Sequence, residues 1–178
     1  MNWKRALIPA VFIIPLLILV GSRFGSDPHA VPFVLGGAEA PAFNLQSLDG
    51  QGFSTAALRG KPVVLNFWST WCVPCKTEHD VLQMGASRYG DRVQFLGVVY
   101  QDSSEAAKEY LTKRLNRYPQ LIDPEAQVAI EYGVAGVPES FFIDPTGKVR
   151  HKEIGPVTPG LLFAKVDDML TNPTGGTP

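Results

Sequence analysis

Two cysteines, three positions apart, are the residues of this sequence with the clearest chemical potential. The chain has 178 residues and contains only two cysteines, which stand in the order Cys72-Val73-Pro74-Cys75. A CxxC pair that follows a strand and opens a helix is typical of thiol–disulfide exchange. The N-terminus of a helix stabilises a thiolate, which is the nucleophile in that reaction. The spacing therefore predicts that Cys72 attacks a substrate disulfide and that Cys75, one turn further along, releases the product.

Two other interpretations of the cysteine pair are weaker. An inert structural disulfide with this spacing closes a very small loop and stabilises a fold little. The pair could also be half of a metal site completed by His29, His79 or His151, but these histidines are scattered along the chain. Two cysteines exclude a four-cysteine zinc site. We therefore expect redox chemistry at the pair, with no bound metal and no cofactor.

The residues on either side of the pair predict the elements that position it. The run 62–68 is mostly apolar and has the length of a strand, which predicts a central strand that is buried on both faces. A helix is predicted from Pro74 to about residue 89, because proline in the first turn loses no hydrogen bond. Trp68 and Trp71 are predicted to form a flat apolar surface around an exposed sulfur, suited to a peptide partner.

The rest of the chain alternates between strand-like and helix-like patterns, which predicts an α/β fold whose sheet ends in an antiparallel hairpin. A short hairpin is expected around residues 43–50, with its turn at Asp49-Gly50. Further strands are predicted at 93–100, 140–144 and 148–151, and further helices at about 103–115, 124–132 and 159–170.

An apolar N-terminal segment predicts attachment to a membrane. Residues 6–21 are apolar without interruption, and Lys4, Arg5 and Arg23 flank them. This pattern favours a retained single-pass transmembrane helix, and the excess of basic residues before it leaves the rest of the chain outside the cytoplasm. A cleaved signal peptide has a similar pattern and is the competing interpretation.

The composition then divides the chain into four parts. We predict a membrane anchor or uncleaved signal at 1–24, a tether at 25–37, a folded domain at 38–171 and a disordered tail at 172–178. Lys and Arg number 16 and Asp and Glu 17, giving a net charge of -1, which disfavours a nucleic-acid partner.

Four segments resemble one known family. They are residues 37–43, 58–68 and 71–78, and the run Gly133-Val-Ala-Gly-Val-Pro-Glu-Ser-Phe-Phe-Ile-Asp144. Together they resemble the membrane-anchored thioredoxin-like proteins of the TlpA/ResA/CcmG (DsbE) group, and most of all its cytochrome c maturation branch. The resemblance implies a thioredoxin fold with an N-terminal β-hairpin extension and a central insertion at about 118–134, preceded by one transmembrane helix.

The resemblance also assigns roles to residues at the site. It implies that Cys72 is the exposed nucleophile, that Cys75 is the resolving thiol and that Val137-Pro138 is a cis peptide beside them. A cis proline leaves the neighbouring backbone free to pair with an extended peptide. Together with Trp71, these two residues and the following Glu139 are the predicted substrate-binding residues. An ordinary loop carboxylate is the alternative for Glu139.

A second carboxylate is predicted to move protons. Asn66 stands where thioredoxins usually carry a buried aspartate, so a proton acceptor for Cys75 must come from elsewhere. Glu78 lies one helical turn after Cys75, and family members place a functional glutamate there. Burial would raise its pKa and make it a proton shuttle. The alternative is an exposed glutamate paired with Lys76 or Arg88.

The predicted function is that of an exported thiol:disulfide oxidoreductase in a bacterial cytoplasmic membrane, with its catalytic domain on the periplasmic side. By resemblance, it acts as a reductant on the disulfide of apocytochrome c or on a maturation partner, and a DsbD/CcdA-type transmembrane carrier re-reduces it. A general or copper-centre thiol reductase of the same group is one alternative. A non-catalytic binding module or metal chaperone is another. A peroxidase is disfavoured, because the sequence lacks the lone-cysteine pattern expected of one.

Overall fold

The computed structural model of the protein describes residues 13–14 and 35–174. The strands are β1 (Asn44–Ser47), β2 (Gly52–Ser54), β3 (Val63–Trp68), β4 (Gln94–Tyr100), β5 (Gln120–Asp123), β6 (Glu139–Ile143) and β7 (Val149–Ile154). The α-helices are α1 (Val73–Tyr89), α2 (Ser104–Thr112), α3 (Gln127–Glu131) and α4 (Pro159–Thr171), and 3-10 turns cover Thr55–Leu58 and Gly90–Arg92.

Within residues 35–174, the strands form one mixed sheet in the order β2-β1-β5-β4-β3-β6-β7. The central strand β3 pairs in parallel with β4 and antiparallel with β6. Every residue of β3 is buried, as its apolar sequence predicts for a strand covered on both faces. The result is the α/β mixed sheet of a thioredoxin fold, with β1 and β2 added as a hairpin at one edge.

The alternation of β3 sends its side chains to two separate layers. Val63, Leu65 and Phe67 lie in one apolar cluster with residues of α3. Val64 faces the other side of the sheet, in the cluster that α1 and α4 cover. Asn66 and Trp68 share the face of Val64 because they follow it at even spacing. A polar side chain of β3 thereby reaches the underside of the helix that carries the cysteines.

The cysteine-bearing helix begins where the sequence predicts. Cys72 is the N-cap of α1, and Pro74 lies in its first turn, where a missing N–H costs no hydrogen bond. Ser103 caps α2 by accepting a hydrogen bond from the Ala106 N–H at 3.0 Å. Helices α1 and α2 therefore both begin at a residue whose side chain caps the helix.

The predicted elements are confirmed, with differences at several of their ends and one additional strand. Helix α2 ends at Thr112 rather than near 115, and α3 covers only Gln127–Glu131. Strand β5 is not among the predicted elements, because four residues are too few to show a period. It lies within the segment 118–134 and pairs with both β4 and β1. The segment 118–134 thus contributes a strand to the sheet.

The segments predicted at the N-terminus lie largely outside the described residues. The predicted anchor at 1–24 lies almost wholly outside them, as does most of the tether at 25–37 and the end of the predicted tail. Among the residues that the structure describes, none of the helices has the length and apolar character needed to cross a membrane.

Candidate active site

The two cysteines form a disulfide at the start of α1. Their sulfurs lie 2.06 Å apart and their Cα atoms 5.3 Å apart. The Cys75 N–H donates a hydrogen bond to Cys72 Sγ at 3.1 Å, which is the capping contact of the helix. An N–H group aimed at Cys72 Sγ and the positive end of the helix dipole would both stabilise a thiolate there after reduction. The geometry supports Cys72 as the nucleophile.

The prediction that Cys72 is exposed is wrong for this oxidised form. Cys72 and Cys75 are each 4% exposed, whereas the neighbours Trp71 and Val73 are 56% and 70% exposed. Cys72 Sγ contacts the helix end and the Val137 carbonyl oxygen, so the flanking apolar side chains present the surface that a partner meets.

The predicted role of Trp68 in that surface is also wrong. Trp68 is buried, and its indole N–H donates to Gln120 Oε1 at 2.8 Å. The Gln120 side chain lies directly against Gly97 on β4, where a Cβ atom would have no room. Trp68 faces the helix side of the sheet because of its place in β3, so Trp71, and not Trp68, lies with Val73 at the surface beside the disulfide.

A cis peptide bond lies opposite the disulfide. The Val137–Pro138 bond is cis, as the family resemblance implies. The Val137 carbonyl oxygen lies 3.5 Å from Cys72 Sγ, so the predicted binding loop and the cysteine are in contact. Val137 is half-buried and Pro138 is buried, while the Pro138 carbonyl accepts a hydrogen bond from the Gly155 N–H at 2.9 Å.

Glu78 lies on α1 three residues after Cys75 and is almost completely buried. Its side chain is turned into the protein, so the alternative of an exposed glutamate paired with Lys76 or Arg88 is wrong. Burial raises the pKa of Glu78 from 4.5 to about 7, although hydrogen bonds from the Val157 N–H and the Asn66 amide oppose the change. A carboxyl group with this pKa exchanges its proton near neutral pH, as a proton shuttle must.

Asn66 holds Glu78 in place from the neighbouring strand. Its Nδ2 donates to Glu78 Oε1 at 2.8 Å and to Ser140 Oγ on β6 at 3.0 Å. The other carboxyl oxygen of Glu78 accepts from the Val157 N–H at 2.9 Å. The residue that replaces the thioredoxin aspartate therefore works as a neutral donor to the glutamate.

Glu139 is buried as well but has a charged partner. Its Oε2 lies 2.8 Å from Lys152 Nζ on β7, and the two side chains are 2% and 8% exposed. Its Oε1 accepts a hydrogen bond from the Ala135 N–H at 3.1 Å. The Lys152 ammonium also donates to the Gly133 carbonyl at 2.8 Å. Glu139 is therefore not an ordinary loop carboxylate, and Lys152 joins the site although the sequence analysis did not single it out.

A loop ladder, defined as the contacts between residues 69–71 and 100–102, fixes the segment before Cys72. Ser69 Oγ donates to the Tyr100 carbonyl. The backbone N–H and the hydroxyl group of Thr70 donate to Asp102 Oδ2 at 2.8 and 2.6 Å. The Trp71 indole N–H donates to the Gln101 carbonyl at 3.3 Å. Gln101 adopts a left-handed backbone with φ 45°. The place of Asp102 beside the motif could be predicted from the sequence. Parallel strands such as β3 and β4 end at the same edge of a sheet, so the residues that follow them lie close together.

The described histidines are engaged away from the sulfurs. His79 Nε2 lies 2.7 Å from the Leu115 carbonyl oxygen, and burial is the main cause that lowers the His79 pKa. His151 pairs with Glu153 on the same strand at 3.1 Å. His29 lies outside the described residues. Neither described histidine supports the half-metal-site interpretation of the cysteine pair.

Comparisons with known proteins agree with this arrangement. The model of the AhpC/TSA family matches residues 37–152. The thiol:disulfide interchange protein HelX of Rhodobacter capsulatus is 36% identical over 172 residues, covering 91% of this chain and 96% of that protein. The thiol:disulfide interchange protein DsbE of Escherichia coli K12 is 35% identical over 168 residues, covering 89% of each.

A solved structure extends the likeness to the fold. The crystal structure of a thiol:disulfide interchange protein of the thioredoxin family from Chlorobium tepidum superposes with a TM-score of 0.68. It is 27% identical and covers 74% of this chain and 95% of that one. With its Cys72–Cys75 disulfide at the start of α1, the chain belongs to the AhpC/TSA family and, by its similarity to DsbE and HelX, to the thiol:disulfide interchange proteins.

Proposed function

We propose that the protein is a thiol:disulfide oxidoreductase that acts as a reductant in cytochrome c maturation. The observation that carries this proposal is the Cys72–Cys75 disulfide at a helix N-terminus, with the Val137 carbonyl beside it and Glu78 buried on the same helix. The similarity to DsbE and HelX supports the same class of reaction. The substrate is the disulfide of an apocytochrome c Cys-x-x-Cys-His segment, or of a maturation protein that holds it.

The reaction begins with the reduced enzyme. The Cys72 thiolate attacks one sulfur of the substrate disulfide, and the other substrate sulfur leaves as a thiolate. Cys75 then loses its proton and attacks Cys72 Sγ, which breaks the mixed disulfide and releases the second substrate sulfur. Two electrons pass from the enzyme to the substrate, and the enzyme ends as the disulfide described above.

Glu78 is the proton acceptor for Cys75 in this scheme. Both residues are buried on α1, one turn apart, so a buried base is needed to take the proton from the thiol. With its pKa raised to about 7, Glu78 is available as a carboxylate at neutral pH and returns the proton when the enzyme is re-reduced. The peptide lies on a surface that is formed or supported by four residues, Trp71, Val137, Pro138 and Glu139.

The proposed setting is the outer face of a bacterial cytoplasmic membrane. Residues 1–24 hold the domain there through a single helix, and a DsbD/CcdA-type carrier supplies electrons. A compartment that contains oxidising machinery makes a dedicated reductant necessary. A midpoint potential of about -120 mV or above, which is the range of a strong periplasmic oxidant, would contradict the reducing role.

A trapping experiment tests the substrate. Cys75→Ser leaves Cys72 able to attack but unable to release its partner, so the mixed disulfide accumulates and the bound protein can be identified by mass spectrometry. Cys72→Ser/Cys75→Ser is the matched control, because it cannot form the bond. We expect apocytochrome c or a cytochrome c maturation protein.

Other trapping outcomes separate the alternatives. Capture of unrelated envelope proteins alone would favour a general or copper-centre reductase. A non-catalytic module predicts that Cys72→Ala retains full function in cells, which the proposed chemistry does not allow.

A further inference from the structure

Lys152 is a lysine whose side chain is almost fully buried. It is 8% exposed, whereas lysine is rarely buried unless it is paired with an opposite charge. Its ammonium lies 2.8 Å from Glu139 Oε2 and donates to the Gly133 carbonyl at 2.8 Å. The same group lies over the ring of Phe141, 5.2 Å from the ring centre. Two of these contacts hold the ammonium against β6, and the third reaches the loop that precedes this strand.

That loop, residues 133–138, is the one that meets the disulfide. Lys152 binds its first carbonyl, at Gly133, and Glu139 Oε1 accepts the N–H of Ala135. The loop then reaches Val137, whose carbonyl oxygen lies 3.5 Å from Cys72 Sγ. The buried ion pair therefore holds the backbone of the loop at two points on the approach to Val137.

We propose that Lys152 is a positioning residue for substrate binding. It acts through Glu139 and the Gly133 carbonyl, and it keeps the Val137 backbone at the place where an extended peptide disulfide must lie against Cys72. The inference rests on the proposed function and adds to it a residue that contacts neither the sulfurs nor the substrate.

The chemistry of lysine at this position explains why the role needs a cation. The ammonium group donates to the Gly133 carbonyl while its charge neutralises the buried carboxylate that holds Ala135. An arginine retains both the charge and several donors. A methionine of similar length retains neither, so Glu139 would be left buried without its counter-charge and the loop without its anchor at Gly133.

The experiment compares two substrates and four variants of the full chain. The substrates are a synthetic peptide closed by a Cys-x-x-Cys-His disulfide, which uses the loop, and a small aromatic disulfide, which needs only access to the sulfur. The variants are Lys152→Met, Lys152→Arg, Glu139→Gln/Lys152→Met and the control Arg150→Met. Arg150 lies on the same strand but pairs with Asp144 at 3.8 Å, at the opposite end of the hairpin.

We expect Lys152→Met to raise the KM for the peptide about tenfold, the effect of losing about one good hydrogen bond in orientation. The rate with the small disulfide should change less than about twofold, because removing this pair leaves the helix N-terminus that activates the thiol intact. Lys152→Arg should restore the peptide KM. The double variant should fold more readily than Lys152→Met, because no buried carboxylate is left without a partner, and should keep the raised KM.

Hydrogen exchange at the Ala135 amide tests positioning without reference to any substrate. Exchange should become faster in Lys152→Met and in the double variant, and should remain as in the wild type in Arg150→Met. Equal losses with both substrates, or unchanged Ala135 exchange, would overturn the proposal and leave Lys152 a purely structural residue. A wild-type protein that fails to reduce the peptide would instead overturn the proposed function, while faster Ala135 exchange would still uphold the positioning role.

Discussion

Two buried glutamates lie near the disulfide, on opposite faces of the same pair of strands. Asn66 faces Ser140 across the β3–β6 pair, and this face looks toward α1 and Glu78. The next pair along, Phe67 and Glu139, points to the other face. Successive side chains of a strand alternate between faces. One step along β3 and β6 therefore leads from the face of Glu78 to the opposite face, where Glu139 lies.

The two glutamates differ in the charge of their partners. Glu78 accepts hydrogen bonds from two neutral groups, the Asn66 amide and the Val157 N–H. Glu139 faces the Lys152 ammonium. Neutral donors only partly offset the cost of burial, so the pKa of Glu78 remains raised to about 7. Two carboxylates near one redox site therefore have different surroundings, because one has neutral partners and the other has a cation.

The largest effect should come from removing the cation of the buried pair. Lys152→Met leaves Glu139 buried without its counter-charge, and losing one partner of such a pair costs about 3–5 kcal/mol. Denaturant unfolding of the oxidised protein at pH 7 measures this loss. Lys113→Met is the surface control, because Lys113 and Glu109 lie 2.7 Å apart with both side chains largely exposed, and it should leave the unfolding free energy unchanged. Equal losses in the two variants would remove the distinction drawn for Glu139.

The next effect is a dependence of stability on pH that belongs to Glu78. The folded protein binds this proton more tightly than the unfolded chain, because the pKa rises from 4.5 to about 7 on folding. The stabilisation is complete below pH 4.5 and is lost as the pH rises to about 7, by about 3 kcal/mol. Glu78→Gln should remove this contribution from the difference between the unfolding free energies measured at pH 5 and pH 8.

A surface glutamate provides the control for that measurement. Glu125 is exposed, so Glu125→Gln should retain the wild-type dependence on pH. If Glu78→Gln retains it too, Glu78 is not the titrating group and its role as proton acceptor for Cys75 loses its support.

Much of this site is predictable from the sequence, for a local reason. The cysteine spacing, Pro74 and the apolar run of β3 act within a few residues of one another, and they fix the strand, the helix start and the disulfide. The position of Glu78 follows from one turn of the same helix. The family resemblance adds the cis bond at Val137–Pro138, which the residues alone do not indicate.

The contacts of Lys152 could not be predicted, because they depend on a register shift. Ile143 pairs with Val149, but the irregularity between Phe142 and Ile143 makes Phe141 pair with Lys152. Counting back from the turn without that shift would pair Lys152 with Ser140 and place it on the face of Glu78. A one-residue shift reverses the face of every later side chain, and no pattern in the sequence marks it.

Changing the neutral partner of Glu78 into a charged one should have a smaller effect. Asn66→Asp replaces the donor at 2.8 Å from Glu78 Oε1 with a second carboxylate, so the two groups would share one proton more tightly than Glu78 alone holds it. We expect a loss of about 1–3 kcal/mol at pH 8 and a smaller loss at pH 5, where the shared proton is retained. Asn66→Ala removes the donor without adding charge, so its loss should depend less steeply on pH than that of Asn66→Asp. An Asn66→Asp loss that does not depend on pH would show that the charge of this partner is unimportant.

The smallest effect concerns a third carboxylate, Asp102, which is half-buried and holds the loop ladder. Asp102 Oδ2 accepts from Thr70 N and Oγ1, and Oδ1 accepts from the Ser103 N–H at 2.8 Å. Asp102→Asn keeps the shape but replaces one acceptor oxygen with a donor, which should cost about 1 kcal/mol of unfolding free energy. Asp91→Asn, at an exposed position, is the control and should cost nothing measurable. Water already reaches Asp102, so its loss should be smaller than that of Lys152→Met. A loss equally large would mean that burial does not distinguish Glu78 and Glu139 from the other carboxylates near the motif.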